Sequence, residues 1–478
     1  MYFKLKNKIL FRRYENYGLV TDNSMFGYKF LNDNTPALEE KFVSESGAVM
    51  LNELNRIPQN IDAIVERLLT VFIGVDFDEL KQDAIAFFMQ LADEGYLCFG
   101  KTFDECNQCE NPVVFGKSES GTQQSIALEN CSKKIFKEGD FFRSLHIEIV
   151  SECNERCVHC YIPHELKDAA MDAELFYKIL EEGRAMNIIH VTLSGGEPLL
   201  HKDILNFLRK CRDLDLAVNV LTNLTLLTDV MLDEMRKNPL LGVQTSLYSM
   251  NPEIHDSITK VKGSFEKTKN AVLKLIAAGI PVQISCPIMK QNKDTFQDVV
   301  DWGTEHNVPV VFDYVIFASY DHSNTNLVNR LSLEEVGQVF ESQLTKEYAT
   351  AYSERAKEKC VLTGDDPICS ICRHYLCVSV HGDIFPCVGW QPKTIGNLKD
   401  VSLREIWESS AEVKRLRQIK RESFPKCVKC ENRGYCTVCM MSNSNENADG
   451  DIFKINEFHC KVAEMMRTKV EAFLKLNK

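Results

Sequence analysis

Three cysteines occur within eight residues, in the segment Cys-Asn-Glu-Arg-Cys-Val-His-Cys, as Cys153, Cys157 and Cys160. Thiolates are the usual ligands of iron–sulfur clusters, which normally take four of them. A loop that supplies only three leaves one iron open to a substrate or cofactor, as catalytic metal sites keep a vacant position. The spacing also allows a zinc site completed by His159 or His164, or three unconnected thiols.

A glycine-rich turn, Ser194–Pro198 (Ser-Gly-Gly-Glu-Pro), ends the second strand that the sequence predicts. Glycines let a backbone approach a ligand closely, which larger side chains prevent. Such a motif can be a simple tight turn, but its position at a strand end near the cysteine loop favours a ligand site. The third and fourth predicted strands end in polar residues, at Thr222-Asn223 and Ser246.

A second set of cysteines is concentrated near the C-terminus, where residues 360–478 hold ten of the chain's 19. The pattern is Cys-x9-Gly-x4-Cys, then Cys-x2-Cys-x5-Cys-x2-Cys, then one further Cys. Its members are Cys372, Cys387, Cys427, Cys430, Cys436, Cys439 and Cys460. Paired Cys-x2-Cys knuckles are common zinc ligands, so the spacing alone leaves zinc ribbons and iron–sulfur clusters as alternatives.

The composition is that of an ordinary soluble protein of several domains. The 478 residues are 44% apolar and 26% charged, enough to bury large cores without disulfides. A net charge of −12 argues against nucleic acid as the main partner, because phosphate binding needs a basic face. There is no signal-peptide pattern and no run near the roughly 18 apolar residues of a membrane span. We therefore expect a cytoplasmic protein, whose short cysteine spacings indicate metal or cluster ligands.

Strand and helix patterns alternate between residues 143 and about 320. The strand candidates are Ser144–Val150, His190–Leu193, Ala217–Leu221, Gly242–Leu247, Val282–Pro287 and Val310–Val315. Amphipathic helices such as Ala173–Ala185 and Phe265–Ala278 lie between them. Six βα units with short loops predict a parallel sheet, and six are too few for a closed eight-stranded barrel. We expect an α/β fold, an open partial (βα)6 barrel.

Residues 1–97 predict a small α+β unit that resembles a winged helix. The predicted elements are strands Tyr2–Leu5 and Gly27–Phe30, helices Ala37–Leu54, Ile61–Phe72 and Glu79–Asp93, and a closing strand at Tyr96–Phe99. This unit holds ten Lys and Arg against fifteen Asp and Glu, a net charge of −5, which disfavours DNA binding. An exposed strand edge could instead capture a peptide as an additional strand.

The predicted domains are residues 1–100, a linker over 101–140, the barrel over 141–340, and a helical connection with the cysteine-rich domain over 341–478. The linker is polar and carries Cys106 and Cys109, whose role is left open because no partner ligands are evident. Ser402 and Glu405 predict a capping box that starts a helix ending near Lys420. The cysteines expected to be structural are Cys98, Cys131, Cys211 and Cys286.

The barrel region resembles the radical SAM superfamily, whose hallmark is a Cys-x3-Cys-x2-Cys loop after the first strand of a partial barrel. The resemblance covers about residues 143–320 and includes the Gly-Gly-Glu-Pro turn. It implies a [4Fe–4S] cluster on Cys153, Cys157 and Cys160, with S-adenosylmethionine (SAM) chelating the open iron. The implied SAM contacts are Tyr161 at the adenine, Gly195, Gly196 and Glu197 at the ammonium group, and Asn223 and Ser246 at the ribose and carboxylate.

The C-terminal pattern resembles the SPASM domain of radical SAM maturases, which binds two auxiliary [4Fe–4S] clusters. The resemblance covers about 110 residues, although the family has Cys-x3-Cys where this chain has Cys436-x2-Cys439. The implied ligands of auxiliary cluster I are Cys372, Cys387, Cys439 and an upstream cysteine, with Cys369 the best candidate and Cys360 and Cys377 competing. The implied ligands of auxiliary cluster II are Cys427, Cys430, Cys436 and Cys460. Cys377 lies in an apolar run, so we interpret it as a core thiol.

The N-terminal unit resembles, in length, position and pattern, the element of ribosomal-peptide maturases that binds a leader peptide at a strand edge. The combined resemblance is to thioether-forming sactipeptide and ranthipeptide enzymes. It implies that the reduced cluster splits SAM, and that a 5′-deoxyadenosyl radical then takes hydrogen from a peptide carbon that is joined to a cysteine sulfur. The implied partners are a cysteine-containing precursor peptide and an electron donor such as flavodoxin or ferredoxin, with no nucleic acid and no membrane.

Four other functions remain as alternatives. The same radical could serve carbon–carbon crosslinking or epimerisation of a peptide, or anaerobic sulfatase maturation. A zinc-binding winged-helix regulator without catalysis is the alternative from another class, and the Gly-Gly-Glu-Pro turn argues against it because a regulator needs no such turn. Asp313 and Tyr314 end the sixth predicted strand and could face the substrate or act as ordinary caps.

Overall fold

The N-terminal unit contains two small antiparallel sheets and three helices, followed by a fourth short helix. The computed structural model describes residues 1–23, 27–35, 37–110, 141–166, 169–391 and 393–477. Its first elements are β1 Tyr2–Leu5, β2 Ile9–Arg13, β3 Tyr17–Asp22, β4 Lys41–Ser44, α1 Glu45–Leu51, β5 Gln59–Asn60, α2 Ile61–Leu68, α3 Phe77–Asp93, β6 Leu97–Gly100 and α4 Phe103–Gln108. The strands are arranged as β5-β1-β6 and β2-β3-β4. This arrangement agrees with the predicted α+β unit.

Two predicted elements of this unit are wrong. Gly27–Phe30 is not a strand, and the helix predicted over Ala37–Leu54 is divided into β4 and the shorter α1. Residues of β4 pair with β3, Val43 opposite Gly18, which the local sequence pattern cannot reveal. The helix begins only after Ser44, whose hydroxyl accepts a hydrogen bond from the Gly47 N–H at 3.2 Å.

The beginning of the predicted linker belongs to the N-terminal unit. A capping box formed by Thr102 and Glu105 starts α4, and the buried Lys4 ammonium contacts the Glu110 carboxylate at 2.6 Å. Residues 101–110 therefore belong to the N-terminal unit. The rest of the linker, residues 111–140 with Cys131, lies outside the described residues.

The central sheet contains the six parallel strands that the sequence predicts, in consecutive order. They are β7 Ser144–Val150, β8 His190–Gly195, β9 Ala217–Leu221, β10 Leu241–Ser246, β11 Val282–Ser285 and β12 Val310–Val311. The helices beside them are α5 Ala173–Ala185, α6 Ile204–Asp213, α7 Asp229–Arg236, α8 Pro252–Thr259, α9 Ser264–Ala277 and α10 Phe296–Glu305. The last strand is shorter than predicted, because the Asp313 carboxylate accepts a hydrogen bond from the Val315 N–H and turns the chain.

The C-terminal region extends this sheet. Its elements are α11 Leu333–Ser342, α12 Lys346–Cys360, β13 Tyr375–Val378, β14 Asp383–Phe385, β15 Gly396–Asn397, α13 Leu403–Ser409, α14 Ala411–Arg417, α15 Pro425–Val428, α16 Met440–Asn445 and α17 Glu457–Leu476. Strand β13 pairs in parallel with β7, and β14 and β15 follow as antiparallel strands. The helix predicted from Ser402 to Lys420 is two helices, because Ser410 ends α13 and caps α14. The cysteine-rich domain is therefore continuous with the barrel sheet.

The N-terminal unit packs on the barrel through a small apolar cluster and one buried cation. Leu10 and Leu19 pack with residues at the amino ends of the barrel strands, among them Ile189 and Ala217. Arg12 is fully buried next to this cluster and has polar partners in the barrel. No helix among the described residues is long and apolar enough to cross a membrane.

Candidate active site

A cavity of about 380 Å³ opens at the carboxyl ends of the barrel strands. The sequence-predicted residues that line it are Cys153, Cys157, Cys160, Tyr161, Gly195, Gly196, Asn223 and Ser246. His159 and Asp313 also line it, whereas His164 is exposed elsewhere. The cavity therefore brings the cysteine loop, the glycine turn and two strand ends to one place, as α/β sheets do at the carboxyl ends of their strands.

The two glycines of the turn let it pack against the cysteine loop. The Gly196 N–H donates to the Val150 carbonyl at 2.8 Å, and the Glu197 N–H donates to the Glu152 carbonyl at 2.8 Å. A Cβ atom on Gly195 would overlap the Val150 carbonyl oxygen, and one on Gly196 would overlap the Glu152 carbonyl oxygen. The turn therefore needs glycine for contact between two backbones, in addition to any ligand that it faces.

Glu197 has a different position from the one expected. Its side chain is fully buried and is not part of the cavity wall. The carboxylate accepts hydrogen bonds from the Leu199 N–H (2.9 Å), the Thr222 hydroxyl (2.6 Å) and the Asn223 N–H (2.7 Å). Burial raises the pKa of Glu197 to about 7, although these hydrogen bonds favour the ionised form. Glu197 thus fixes the end of β9 and orients Asn223 toward the cavity.

Two residues that the sequence did not single out contact the central cysteine. The Tyr248 hydroxyl donates to Cys157 Sγ at 3.8 Å, and the Cys157 thiol lies 3.4 Å from the Glu155 carboxylate. Donors to sulfur are among the groups that tune iron–sulfur clusters. Glu155 lies inside the cysteine motif, and Tyr248 follows the end of β10. Their positions in the motif and after a strand end were the signals in the sequence that could have identified them.

Burial shifts the pKa of two polar residues that line the cavity, His146 and Asp313. His146 lines the cavity and hydrogen-bonds the Ser194 hydroxyl, and burial lowers its pKa to about 4, so its imidazole is neutral at pH 7. Burial also raises the pKa of Asp313. Tyr314 instead belongs to the core, where its ring packs edge-on against Phe340.

One group of C-terminal thiols lies beside the edge of the extended sheet. Cys369 and Cys387 lie close enough to Cys372 to raise its pKa. The same two thiols raise the pKa of Cys439. Cys439 therefore joins this group in spite of its shortened spacing. We refer to Cys369, Cys372, Cys387 and Cys439 as thiol set I.

The two competing cysteines have different surroundings. Cys360 is exposed and lies beside Gly434 and Tyr435, among the residues of the last cysteine group. Cys377 is buried in the core, as we expected, and it also lies next to Cys387 and Cys372. Cys369 is thus a member of set I, Cys377 lies beside the set, and Cys360 is separate from it.

The other group surrounds a cavity of about 220 Å³ near the surface. We refer to its members as thiol set II: Cys427, Cys430, Cys436 and Cys460. Soft thiolates arranged in groups of three or four suit iron–sulfur clusters. Within the described ranges, no group of three or more His, Cys, Asp or Glu side chains is close enough together to hold a single metal ion.

Near the first domain boundary, Cys98, Cys106 and Cys109 come together. The Cys106 thiol donates to the Cys98 carbonyl at 3.7 Å, and the Cys98 thiol donates to the Cys109 carbonyl. Burial raises the pKa of Cys98 and raises that of Cys106 to about 11. These protonated, buried thiols help to pack α4 on the N-terminal unit.

Three sequence families match separate parts of the chain. Residues 147–303 match the family described as "Radical SAM superfamily", and residues 369–431 match "Iron-sulfur cluster-binding domain" (SPASM). Residues 42–97 match "Coenzyme PQQ synthesis protein D (PqqD)". The matches follow the same order as the barrel, the cysteine-rich domain and the N-terminal unit.

Curated relatives are similar over most of their own length. The "AdoMet-dependent heme synthase" of Methanosarcina barkeri is 25% identical over 313 residues, 61% of this chain and 89% of the relative. The "PqqA peptide cyclase" of Gluconobacter oxydans is 22% identical over 346 residues, 69% of this chain and 95% of the relative.

Solved structures share the fold. Streptococcus suis SuiB bound to the precursor peptide SuiA has a TM-score of 0.58 at 16% identity, covering 96% of this chain and 100% of that chain. The anSMEcpe structure with bound AdoMet and the Kp18Cys peptide has a TM-score of 0.55 at 17% identity, covering 69% and 97%. The SuiB likeness extends over the whole three-part architecture.

Proposed function

We propose that this chain, a radical SAM/SPASM protein of the ribosomal-peptide maturase type with a PqqD-like domain, joins cysteine sulfurs to carbon atoms of a precursor peptide as thioethers. The observation that carries the proposal is the cavity at the strand ends, where three thiols meet a glycine turn and polar strand ends. The PqqD-like match on the same chain supports a peptide as the substrate, and the similar SuiB structure holds a precursor peptide.

Each part of the site has a distinct role in this proposal. Cys153, Cys157 and Cys160 would hold a [4Fe–4S] cluster, with SAM beside Tyr161 and the glycine turn. When bound, that pair supplies a 5′-deoxyadenosyl radical, which takes hydrogen from the substrate. The chain itself positions the reacting carbon and excludes water with the buried wall of the cavity. Thiol sets I and II would hold two auxiliary clusters.

The N-terminal unit offers an edge strand for the leader peptide. In the sheet β2-β3-β4, the β4 edge is not paired with another strand among the described residues. Strand β2 is instead turned toward the barrel, where Arg12 contacts the Ile188 carbonyl. A leader that adds along Lys41–Ser44 would form main-chain hydrogen bonds with β4, which is the usual mode of strand addition.

Peptide carbon–carbon crosslinking is the second candidate. Relatives in several organisms carry the name "PqqA peptide cyclase", and their identity to this chain is 22–26%. Both reactions begin with the same hydrogen abstraction and differ in the partner that the substrate radical meets. The fate of the substrate thiol therefore distinguishes them. The matches to the radical SAM and SPASM families count against the zinc-binding regulator.

The decisive experiment is the intact mass of a modified peptide. The enzyme would be co-expressed with a small cysteine-containing peptide encoded beside its gene. We expect a loss of two hydrogens per link together with loss of one free thiol. We expect Cys153→Ala, Cys157→Ala and Cys160→Ala to abolish the change, because three thiolates are needed to hold a cluster with one open iron.

Cys211→Ala is the matched control, since this buried thiol lies in α6 outside the cavity. It should leave the modification intact. Hydrogen loss with every thiol still free would replace the proposal with carbon–carbon crosslinking. Uptake of solvent deuterium without a loss of hydrogen would indicate epimerisation, and no change from an iron-loaded, SAM-cleaving enzyme would exclude this substrate class.

A further inference from the structure

A concentrated basic segment interrupts this acidic chain. Residues 414–433 hold eight Lys and Arg against two Glu, although the whole chain has a net charge of −12. The segment runs from the end of α14 through α15 and includes the first two thiols of set II, Cys427 and Cys430. The segment that carries Cys427 and Cys430 is therefore basic, whereas the protein as a whole is acidic.

Part of this charge is used within the fold. Arg415 pairs with Glu412 at 2.7 Å, and Lys420 pairs with Asp365 at 3.1 Å. Arg417 donates to the Cys372 carbonyl at 2.7 Å. Each of these three cations therefore already has a partner within the domain.

Four of the other five cations of the segment, together with Lys359, lie around thiol set II. Lys426 and Lys429 are exposed on either side of Cys427. Across the ranges that the structure describes, neither lysine has a carboxylate partner, and the same is true of Arg433. Arg433, Arg421 and Lys359 line the set II cavity, whose wall has no acidic residue among those described. We refer to Lys359, Arg421, Lys426, Lys429 and Arg433 as the basic rim.

We propose that the basic rim is the docking surface for an acidic one-electron carrier protein of the flavodoxin or ferredoxin class. This inference rests on the proposed function, because a cluster on set II gives the carrier a redox partner. Soft thiolates that open to the surface between cations place that partner within reach of a docked protein. In the transfer, the carrier is oxidised by one electron and the cluster is reduced by one electron, and no bond forms or breaks.

The position of the rim favours a redox protein over nucleic acid. The cations are grouped around one thiol-lined opening, whereas a nucleic acid would follow a longer basic track and gain nothing from the thiols. Complementary charges at the rim of an interface mainly raise the association rate and make the affinity sensitive to salt. An acidic carrier would be attracted to this face and repelled by most of the remaining surface.

The test measures binding as well as activity. Flavodoxin and a ferredoxin would each be titrated against the cluster-loaded full chain at about 50 mM and about 300 mM salt. We expect the double variant Lys426→Glu and Lys429→Glu to bind the carrier about tenfold more weakly at low salt and to lose most of the salt dependence. The matched control is Lys399→Glu with Lys475→Glu, both exposed and outside the rim, which should bind like the wild type.

Activity with a chemical reductant separates this inference from the proposed function. With dithionite in place of the carrier, the rim variant should modify the peptide at the wild-type rate. Unchanged carrier binding by the rim variant would overturn the inference, and so would failure of both carriers to bind the wild type. Binding of a single-stranded oligonucleotide in place of the carriers would overturn it in favour of nucleic acid. Failure of the dithionite-driven wild type would instead count against the proposed function.

Discussion

Glu148 is a buried carboxyl between the barrel and the cysteine-rich domain. It lies on β7, and its carboxylate accepts a hydrogen bond from the Gln391 side chain at 2.7 Å. Burial raises its pKa from 4.5 to about 7, and the Gln391 hydrogen bond only partly offsets that shift. Its negative charge also raises the pKa of Tyr161 and of Cys377. Glu148 therefore lies between the candidate SAM site and thiol set I.

The raised pKa of Glu148 predicts that stability falls as the pH rises. The unfolded chain releases this proton near pH 4.5, whereas the folded chain holds it to about pH 7. The folded state therefore loses stability as the pH rises from about 4.5 through 7. The loss between pH 6 and pH 8 is about 1 kcal/mol from this group alone. Glu148→Gln cannot ionise, so we expect its free energy of unfolding to lack this decrease.

Urea unfolding of both proteins at the two pH values measures the difference. The comparison isolates Glu148 because Glu197, the other carboxyl with a pKa near 7, is present in both proteins. Parallel pH dependence of the two proteins would contradict the assignment of a raised pKa to Glu148.

At the scale of elements, the contact between the glycine turn and the cysteine loop positions the candidate active site. Gly195 has φ +126 and leaves no room for a Cβ beside the Val150 carbonyl. Gly279 has φ +70 but has no other atom within 4 Å of the position of a Cβ. Comparing alanine substitutions at these two glycines therefore distinguishes the loss of stability from a positive φ from the loss caused by a steric clash.

We expect Gly195→Ala to displace the cysteine loop from the end of β8. Gly279→Ala should cost only the strain of a positive φ, about 1 kcal/mol. Gly195→Ala adds an overlap with backbone, so it should lower the iron content per chain by several fold and reduce the free energy of unfolding by at least about 3 kcal/mol. Iron analysis after reconstitution, with urea unfolding, measures both effects. Equal behaviour of the two variants would show that the close contact is unimportant.

On the scale of the whole molecule, one carboxylate ties the N-terminal unit to the barrel. Arg12 donates to the Asp215 carbonyl at 2.6 Å and contacts the Asp215 carboxylate at 3.3 Å, and Arg56 also pairs with that carboxylate. Burial lowers the pKa of Arg12 to about 10, which leaves it charged at neutral pH. The docking of the two units therefore depends on a counter-charge for a fully buried cation.

We expect Asp215→Asn to weaken this docking. Asparagine tolerates the positive φ of Asp215 (54°) and keeps its shape, so the main loss is the charge opposite Arg12. Removing one partner of a buried pair costs about 3 kcal/mol, because the other charge is left buried. Amide hydrogen exchange at β2 and at β9 would measure the loosening. Unchanged protection of both strands would mean that the other contacts, among them the apolar cluster and the Glu40–Arg143 pair, are sufficient to hold the units together.

The local sequence pattern was sufficient to predict the bounds of elements in which buried residues recur at a regular period. The observed bounds of β7 and α5 match the predicted ones residue for residue, because period-2 and period-3.6 patterns reflect burial on a local face. The structure has no strand at Gly27–Phe30. The prediction for Ala37–Leu54 is wrong because the pairing of β4 with β3 depends on residues that are distant in the sequence. The parallel pairing of β13 with β7 was beyond any local pattern for the same reason.

The sequence by itself determined which thiols are candidate cluster ligands, because ligand type and spacing within one loop are local properties. Cys153, Cys157 and Cys160 are an example. Only the tertiary structure decided what each outlying residue contacts. It moved Glu197 from the cavity wall into the support of β9, and it placed Cys377 beside thiol set I. It also gathered the basic rim around set II. Burial, pKa and electric field depend on groups that are distant in sequence, so they are defined only once the chain has folded.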